Sequence, residues 1–141
     1  MQIILSAALQ QQIFQQMEAT FPNEGGGFLL GTRQADRVTI EDVIHVENTF
    51  ESEEQYHRYA MTPQNWAHME DEADERGLSL VGYYHSHPDS PAIPSEYDRV
   101  HALPNFTYII TSVMAGKAVE MLVWELDTDR SKFHPQELVV G

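Results

Sequence analysis

Leu78 to Tyr84 reads LSLVGYY and runs directly into His85-Ser86-His87-Pro88. A short, largely apolar and aromatic run after Gly77 is the pattern of a buried strand. It delivers His85 at its C-terminal end. A fold for this chain has to bury that strand and keep its histidine end open.

The other elements fall around it. Ser6 to Thr20 has helical periodicity, with Ala8, Ile13, Phe14 and Met17 among the apolar positions, and Pro22 ends the region. Gly25-Gly26-Gly27 leads into a short buried strand, Phe28 to Gly31. A polar turn from Thr32 to Arg37 precedes a second strand, Val38 to Val46. Asn48 to Tyr59 is polar and acidic, the composition of a long mobile loop. Thr62 and Pro63 start a helix as N-cap and first helical residue; it runs to about Arg76 and stops at Gly77. Ser95 opens a short helix with Glu96 and Asp98 in its first turn, where acids are favoured. Phe106 to Ser112 and Ala118 to Leu126 are strands joined at Ala115-Gly116-Lys117, and Leu138 to Val140 is a closing edge strand. This order predicts an α+β chain, a three-layer arrangement with a mixed sheet. Trp66 and Met69 read as core, and Tyr83 and Tyr84 should face opposite layers.

The histidine end carries the chemistry. Two histidines one residue apart project to the same face of an extended segment. His85, His87 and Asp98 would supply the three protein ligands of a catalytic zinc site and leave a fourth position for water. The chain has no cysteine, so a metal must be held by nitrogen and oxygen. That donor set suits zinc, one per chain. A hydrolase also needs a general acid/base. Glu24 is the candidate among fourteen glutamates, because the glycine run behind it lets a substrate approach the backbone. Ser95 is the candidate donor to a developing oxyanion. Taken singly, Ser95 is an N-cap, Asp98 a helix-dipole acid and Glu24 a surface carboxylate.

With 141 residues the chain suits one domain, residues 1–141. Eight Lys and Arg stand against 22 Asp and Glu, a net charge of −14. Such a field repels phosphate backbones, so nucleic acid is not an expected partner. No apolar run approaches the roughly 18 residues that read as a membrane span. The first residues lack the basic start of a signal peptide. Without cysteine or a signal, the expected location is cytoplasmic.

The order Glu24, His85-x-His87-Pro88, Ser95-x-x-Asp98 resembles the JAMM motif of the MPN metalloproteases, with the motif's seven residues between His87 and Ser95. NEGGGFLLG is similar to the segment with the family's catalytic glutamate, and LVGYYHSHPDSPAIPSEYDR to its metal-binding segment. RYAMTPQ, at Arg58 to Gln64, resembles the compact bacterial and archaeal members. Position 26, often cysteine in relatives, is glycine here. The resemblance implies a three-layer α-β-α fold of the cytidine-deaminase-like kind. It also implies one zinc on His85, His87 and Asp98, Glu24 as acid/base and Ser95 as oxyanion helper.

The implied substrate is an amide or isopeptide bond after the Gly-Gly tail of a ubiquitin-like or sulfur-carrier protein. An extended tail of this kind can add as a strand to a sheet edge. The chain lacks the long insertions with which eukaryotic deubiquitinases grip ubiquitin chains. Two alternatives stand beside this reading: an inactive MPN-type interaction module, and a zinc hydrolase of a small amide.

Overall fold

A computed structural model describes residues 1–46 and 63–141 of the chain. The expected loop at 48–59, the Thr62 cap and most of RYAMTPQ lie outside the described residues. The chain runs β1 (Gln2–Leu5), α1 (Ala7–Thr20), β2 (Gly26–Arg33), β3 (Arg37–Val46), α2 (Pro63–Glu75), β4 (Ser79–Pro88), α3 (Glu96–His101), β5 (Thr107–Met114), β6 (Lys117–Leu126), β7 (Phe133–Pro135) and β8 (Glu137–Val140).

The strands form one sheet in the order β7-β6-β5-β4-β2-β3-β1-β8. β4–β5, β1–β3 and β1–β8 pair parallel, and the other neighbours antiparallel, so the sheet is mixed. Its two faces bury separate cores. On one, Ile13 and Met17 of α1 pack with Ile3, Leu29, Val81, Tyr84, Ile109 and Val123. On the other, Trp66 and Ala73 of α2 pack with Phe28, Leu30, Tyr83 and Tyr108. There the Phe28 ring stands edge-on to Trp66 and Tyr83, with centroids 5.3 and 4.9 Å away. A sheet covered on both faces by helices is the expected α+β, three-layer α-β-α architecture. Among the described residues, no helix is long and apolar enough to cross a membrane.

The local signals act as expected at several ends. Ser6 caps α1, its hydroxyl accepting the Leu9 N–H at 3.1 Å. Gly77 stops the chain after α2 in the left-handed region, φ +72°, where a Cβ is unfavourable. Other ends differ from expectation. Gly26 and Gly27 belong to β2, which also takes in Thr32 and Arg33 of the expected turn. β1 and β7 carry too few residues for a period to show, and both owe their strand form to pairing with neighbours.

β4 contains the decisive irregularity. Leu29 pairs with Gly82 but Leu30 pairs with Leu80, so Val81 is an extra residue on β4. The bulge inverts the pleat. Leu80 and Tyr83 therefore share the α2 face, while Val81 and Tyr84 share the α1 face. From Tyr83 onward, alternation turns His85 and His87 to the α2 face and Ser86 to the α1 face. Gly82 sits where the β4 backbone passes close to β5: a Cβ there would lie 1.8 Å from the Thr107 carbonyl oxygen. Gly82→Ala should therefore destabilise the protein by roughly 3 kcal/mol in chemical denaturation. A loss below about 1 kcal/mol would show that the β4–β5 spacing yields easily.

Candidate metal centre

Three elements meet at the C-terminal end of β4. The strand itself presents His85 and His87, whose Nε2 atoms stand 3.2 Å apart. Ser95 caps α3 and Asp98 is its third residue. Their reciprocal bonds form a capping box: the Asp98 N–H donates to Ser95 Oγ at 3.1 Å, and the Ser95 N–H donates to Asp98 Oδ2 at 2.8 Å. The box aims the carboxylate at the strand. His87 Nε2 lies 3.1 Å from Asp98 Oδ2, and His85 Nε2 3.3 Å from Asp98 Oδ1. Glu24, on the segment entering β2, brings a fourth ligand atom, and all four lie within 4.8 Å of one another. Glu24, His85 and Asp98 are buried.

The seven residues between His87 and Ser95 form a bridge held by its carbonyls. His87 Nδ1 donates to Pro91 O at 2.8 Å, Ser112 Oγ to Ser90 O at 2.6 Å, and Trp124 Nε1 to Ala92 O at 3.0 Å. The first of these sets the His87 tautomer. With the proton on Nδ1, the Nε2 lone pair points into the cluster.

Ser86 does a separate task on the opposite face of β4. It is fully buried. Its hydroxyl accepts the Gly25 N–H at 2.9 Å, and its own N–H donates to Gly25 O at 3.0 Å. These two bonds fix the Glu24–Gly25 segment against the strand that carries the histidines. Tyr83 lies close by. Burial first, then the charges of Tyr84 and Glu24, hold its hydroxyl well above the usual tyrosine range, so it stays neutral. A Cβ at Gly26 would lie 2.8 Å from the Tyr83 hydroxyl, so the tyrosine occupies the space that a cysteine at position 26 would use. Sequence reasoning missed Ser86 and Tyr83 as site residues. The available signal was a hydroxyl set between two histidines at the end of an apolar strand.

The donor set fits a tetrahedral zinc ion. Ligand atoms about 2.0–2.1 Å from such an ion lie roughly 3.3–3.4 Å from one another. The two imidazole Nε2 atoms are 3.2 Å apart, and Asp98 sets Oδ2 3.1 Å from His87 and Oδ1 3.3 Å from His85. Lone pairs and a carboxylate at that spacing repel unless a cation or an N–H donor lies among them. Burial lowers the His87 pKa, but hydrogen bonds to Asp98 and Pro91 outweigh it and raise the net value. Burial raises the Asp98 pKa, and the His85 charge, the bonds from His85 and His87 and the Ser95 N–H outweigh it, leaving the carboxyl far below the usual range.

A cleft of about 450 Å³ opens onto the cluster. Glu24, His87, Ser95 and Asp98 line it with Pro22, Pro88, Pro91, Ile93 and Tyr97. Apolar walls around a few convergent polar groups are the makeup of a ligand site.

Scaffold and cluster together define a class: a three-layer α/β fold with a nitrogen and oxygen metal-donor set at the end of a central strand, facing a buried carboxylate. The family model for prokaryotic homologs of the JAB domain matches residues 6–127, and the chain belongs to that family. It is 33% identical over 92 residues to a desampylase from Haloferax volcanii, covering 64% of this chain and 63% of that protein. It is 34% identical over 89 residues to a probable TtuB-protein conjugate cleaving protease from Thermus thermophilus, covering 63% of this chain and 55% of that protein. The chain thus spans less than two thirds of the length of these curated relatives. The solution structure of a Salinibacter ruber protein matches with a TM-score of 0.75 and 37% identity, covering 100% of this chain and 92% of that one.

Two outcomes follow from the site's geometry. Ser86→Ala leaves the buried Gly25 N–H without its acceptor and should cost about 1–3 kcal/mol of stability in chemical denaturation. An unchanged denaturation midpoint would show that the bond holds nothing in place. The second concerns pH in the metal-free protein. His87 has a raised folded-state pKa, so its contribution is complete below about pH 6.5 and is lost as pH rises through the folded value. The depressed Asp98 contributes above about pH 4 and its contribution is lost on acidification. Thermal stability in chelator should therefore be greatest between roughly pH 4 and 6.5 and fall above it. Melting temperatures that rise from pH 6.5 to 9 would contradict this.

Proposed function

We propose that the chain is a zinc-dependent metallopeptidase. Its reaction is hydrolysis of the amide or isopeptide bond after the Gly-Gly C-terminus of a ubiquitin-like or sulfur-carrier protein. The observation that carries this reading is the convergence of Glu24 with His85, His87 and Asp98 within 4.8 Å. The cluster also opens onto a cleft lined by Glu24, His87, Ser95 and Asp98, whereas a purely structural metal site is closed. The names of the Haloferax and Thermus relatives supply the substrate class, cleavage of conjugates of small modifier proteins. The reading takes residues 1–141 as one catalytic domain.

The residues divide the work. His85, His87 and Asp98 would hold the zinc. When bound, the ion supplies Lewis acidity toward the scissile carbonyl and makes water more acidic. Glu24 takes a proton from the attacking water and returns it to the leaving amine nitrogen. Its place in the cleft beside His87 and Asp98 suits that role. Ser95 Oγ accepts from the Asp98 N–H, which fixes the oxygen while leaving the hydroxyl proton to donate to the developing oxyanion. Pro22, Pro88, Pro91 and Ile93 exclude water around the reacting bond. A Gly-Gly tail could enter the cleft with its backbone close to the cluster because it has no side chains to clear.

The test uses a carrier protein extended beyond Gly-Gly and incubated with the zinc-loaded chain. Glu24→Gln should keep zinc and reduce cleavage by about 10²–10⁴-fold. Wild-type protein that purifies without zinc and binds none when supplied, or a His87→Ala variant that cleaves as well as wild type, would overturn the proposal.

A further inference from the structure

We propose that Arg130, in the β6–β7 loop and outside the cleft, is a positioning residue for Asp98 and hence for metal affinity. The reason begins with α3. It has six residues, and isolated helices shorter than about 12 residues do not hold themselves in water. Among its described side chains, only Asp98 is buried; Glu96 and Val100 are exposed. A ligand carried on so short a helix is no better placed than the helix.

The N-terminal end is fixed by the Ser95–Asp98 capping box. That leaves the C-terminal end, whose last carbonyls lack partners within the helix. Arg130 supplies them. Its Nη1 donates to Ala102 O at 2.7 Å, and its Nη2 to Val100 O at 2.7 Å and Arg99 O at 3.4 Å. A return bond runs from Arg99 Nη1 to Arg130 O at 2.8 Å. A guanidinium at a helix C-terminus also opposes the negative end of the helix dipole, and its planar fork reaches two carbonyls at once.

The mount is itself rigid. Arg130 has φ +63°, a left-handed backbone that a residue with a Cβ keeps only when its surroundings enforce it. Asp127 enforces it. Its carboxylate accepts the Ser131 N–H at 2.9 Å, the Ser131 hydroxyl at 3.0 Å and the Lys132 N–H at 3.1 Å, and its carbonyl accepts the Arg130 N–H at 3.0 Å. The loop thus holds the guanidinium, and the guanidinium holds the far end of α3. Rotation about the Ser95 cap would swing the Asp98 carboxylate away from the histidines, and Arg130 blocks that rotation.

The experiment compares wild type, R130A, R130K and R37A. Arg37 is exposed and paired with Asp36, so R37A removes the same charge away from the site. Zinc affinity is measured by competition with a chromophoric chelator, and amide hydrogen exchange is followed in the metal-free proteins. R130A should raise the zinc Kd at least tenfold, the usual scale for groups that orient a ligand. It should speed exchange of the Arg99 and Ala102 amides while leaving those of β4 and β5 unchanged. R130K, with one donor group in place of a fork, should recover part of the affinity, and R37A should match wild type. Should R130A not fold, R130Q, which keeps one N–H donor group, is read in the same way. A zinc Kd for R130A within twofold of wild type, an equal loss in R37A, or unchanged α3 exchange would overturn the proposal. The inference rests on the reading of Asp98 as a zinc ligand. Wild-type protein that binds no zinc would sink that reading, whereas the exchange comparison would still decide whether Arg130 fixes α3.

Discussion

Asp98 Oδ2 accepts the Ser95 N–H at 2.8 Å and stands 3.1 Å from His87 Nε2, while Oδ1 stands 3.3 Å from His85 Nε2. One carboxylate is therefore both the end of a helix cap and the third corner of a donor triangle. The two uses support each other. The cap removes the rotational freedom of the Asp98 side chain, which a ligand would otherwise lose on binding metal. The same geometry sets three polar groups face to face, an arrangement that burial tolerates only with a hydrogen-bond donor or a cation among them.

Much of this was legible in the residue order. The His85-x-His87 pair and the Ser95-x-x-Asp98 spacing each have a local meaning, one as alternation on a strand and the other as a capping box. The spacing of seven residues between them has no local meaning. It makes sense only once the His87, Ser112 and Trp124 side chains are seen to fasten the bridge by its carbonyls. Two of those donors come from β5 and β6, which no pattern around His87 could indicate. The bulge at Val81 was equally hidden. LSLVGYY reads as an apolar run with or without it, yet it decides which layer the imidazoles face.

Glu24 was the least determined residue from local physics, one of fourteen glutamates, singled out by the glycine run behind it. The structure gives that run a different meaning. Gly26 and Gly27 are strand residues, and Gly25 is held from both sides of its peptide by Ser86. What read as room for a substrate is close packing, with Tyr83 and Tyr84 filling the space that side chains would otherwise take. The short strands β1 and β7 were missed for the complementary reason, since their order comes from neighbours rather than from their own residues.

The Ser86–Gly25 clasp joins positions 61 residues apart, whereas His87 and Asp98 are separated by 11. Short loops close at lower entropic cost than long ones, so the His87–Asp98 contact closes at lower cost than the clasp. Glu24 joins the cluster only when β2 has paired with β4. The cluster is thus drawn from two parts of the chain, one closed over a short loop and one brought in by long-range strand pairing, so a one-residue slip in the β2–β4 register would part Glu24 from the histidines.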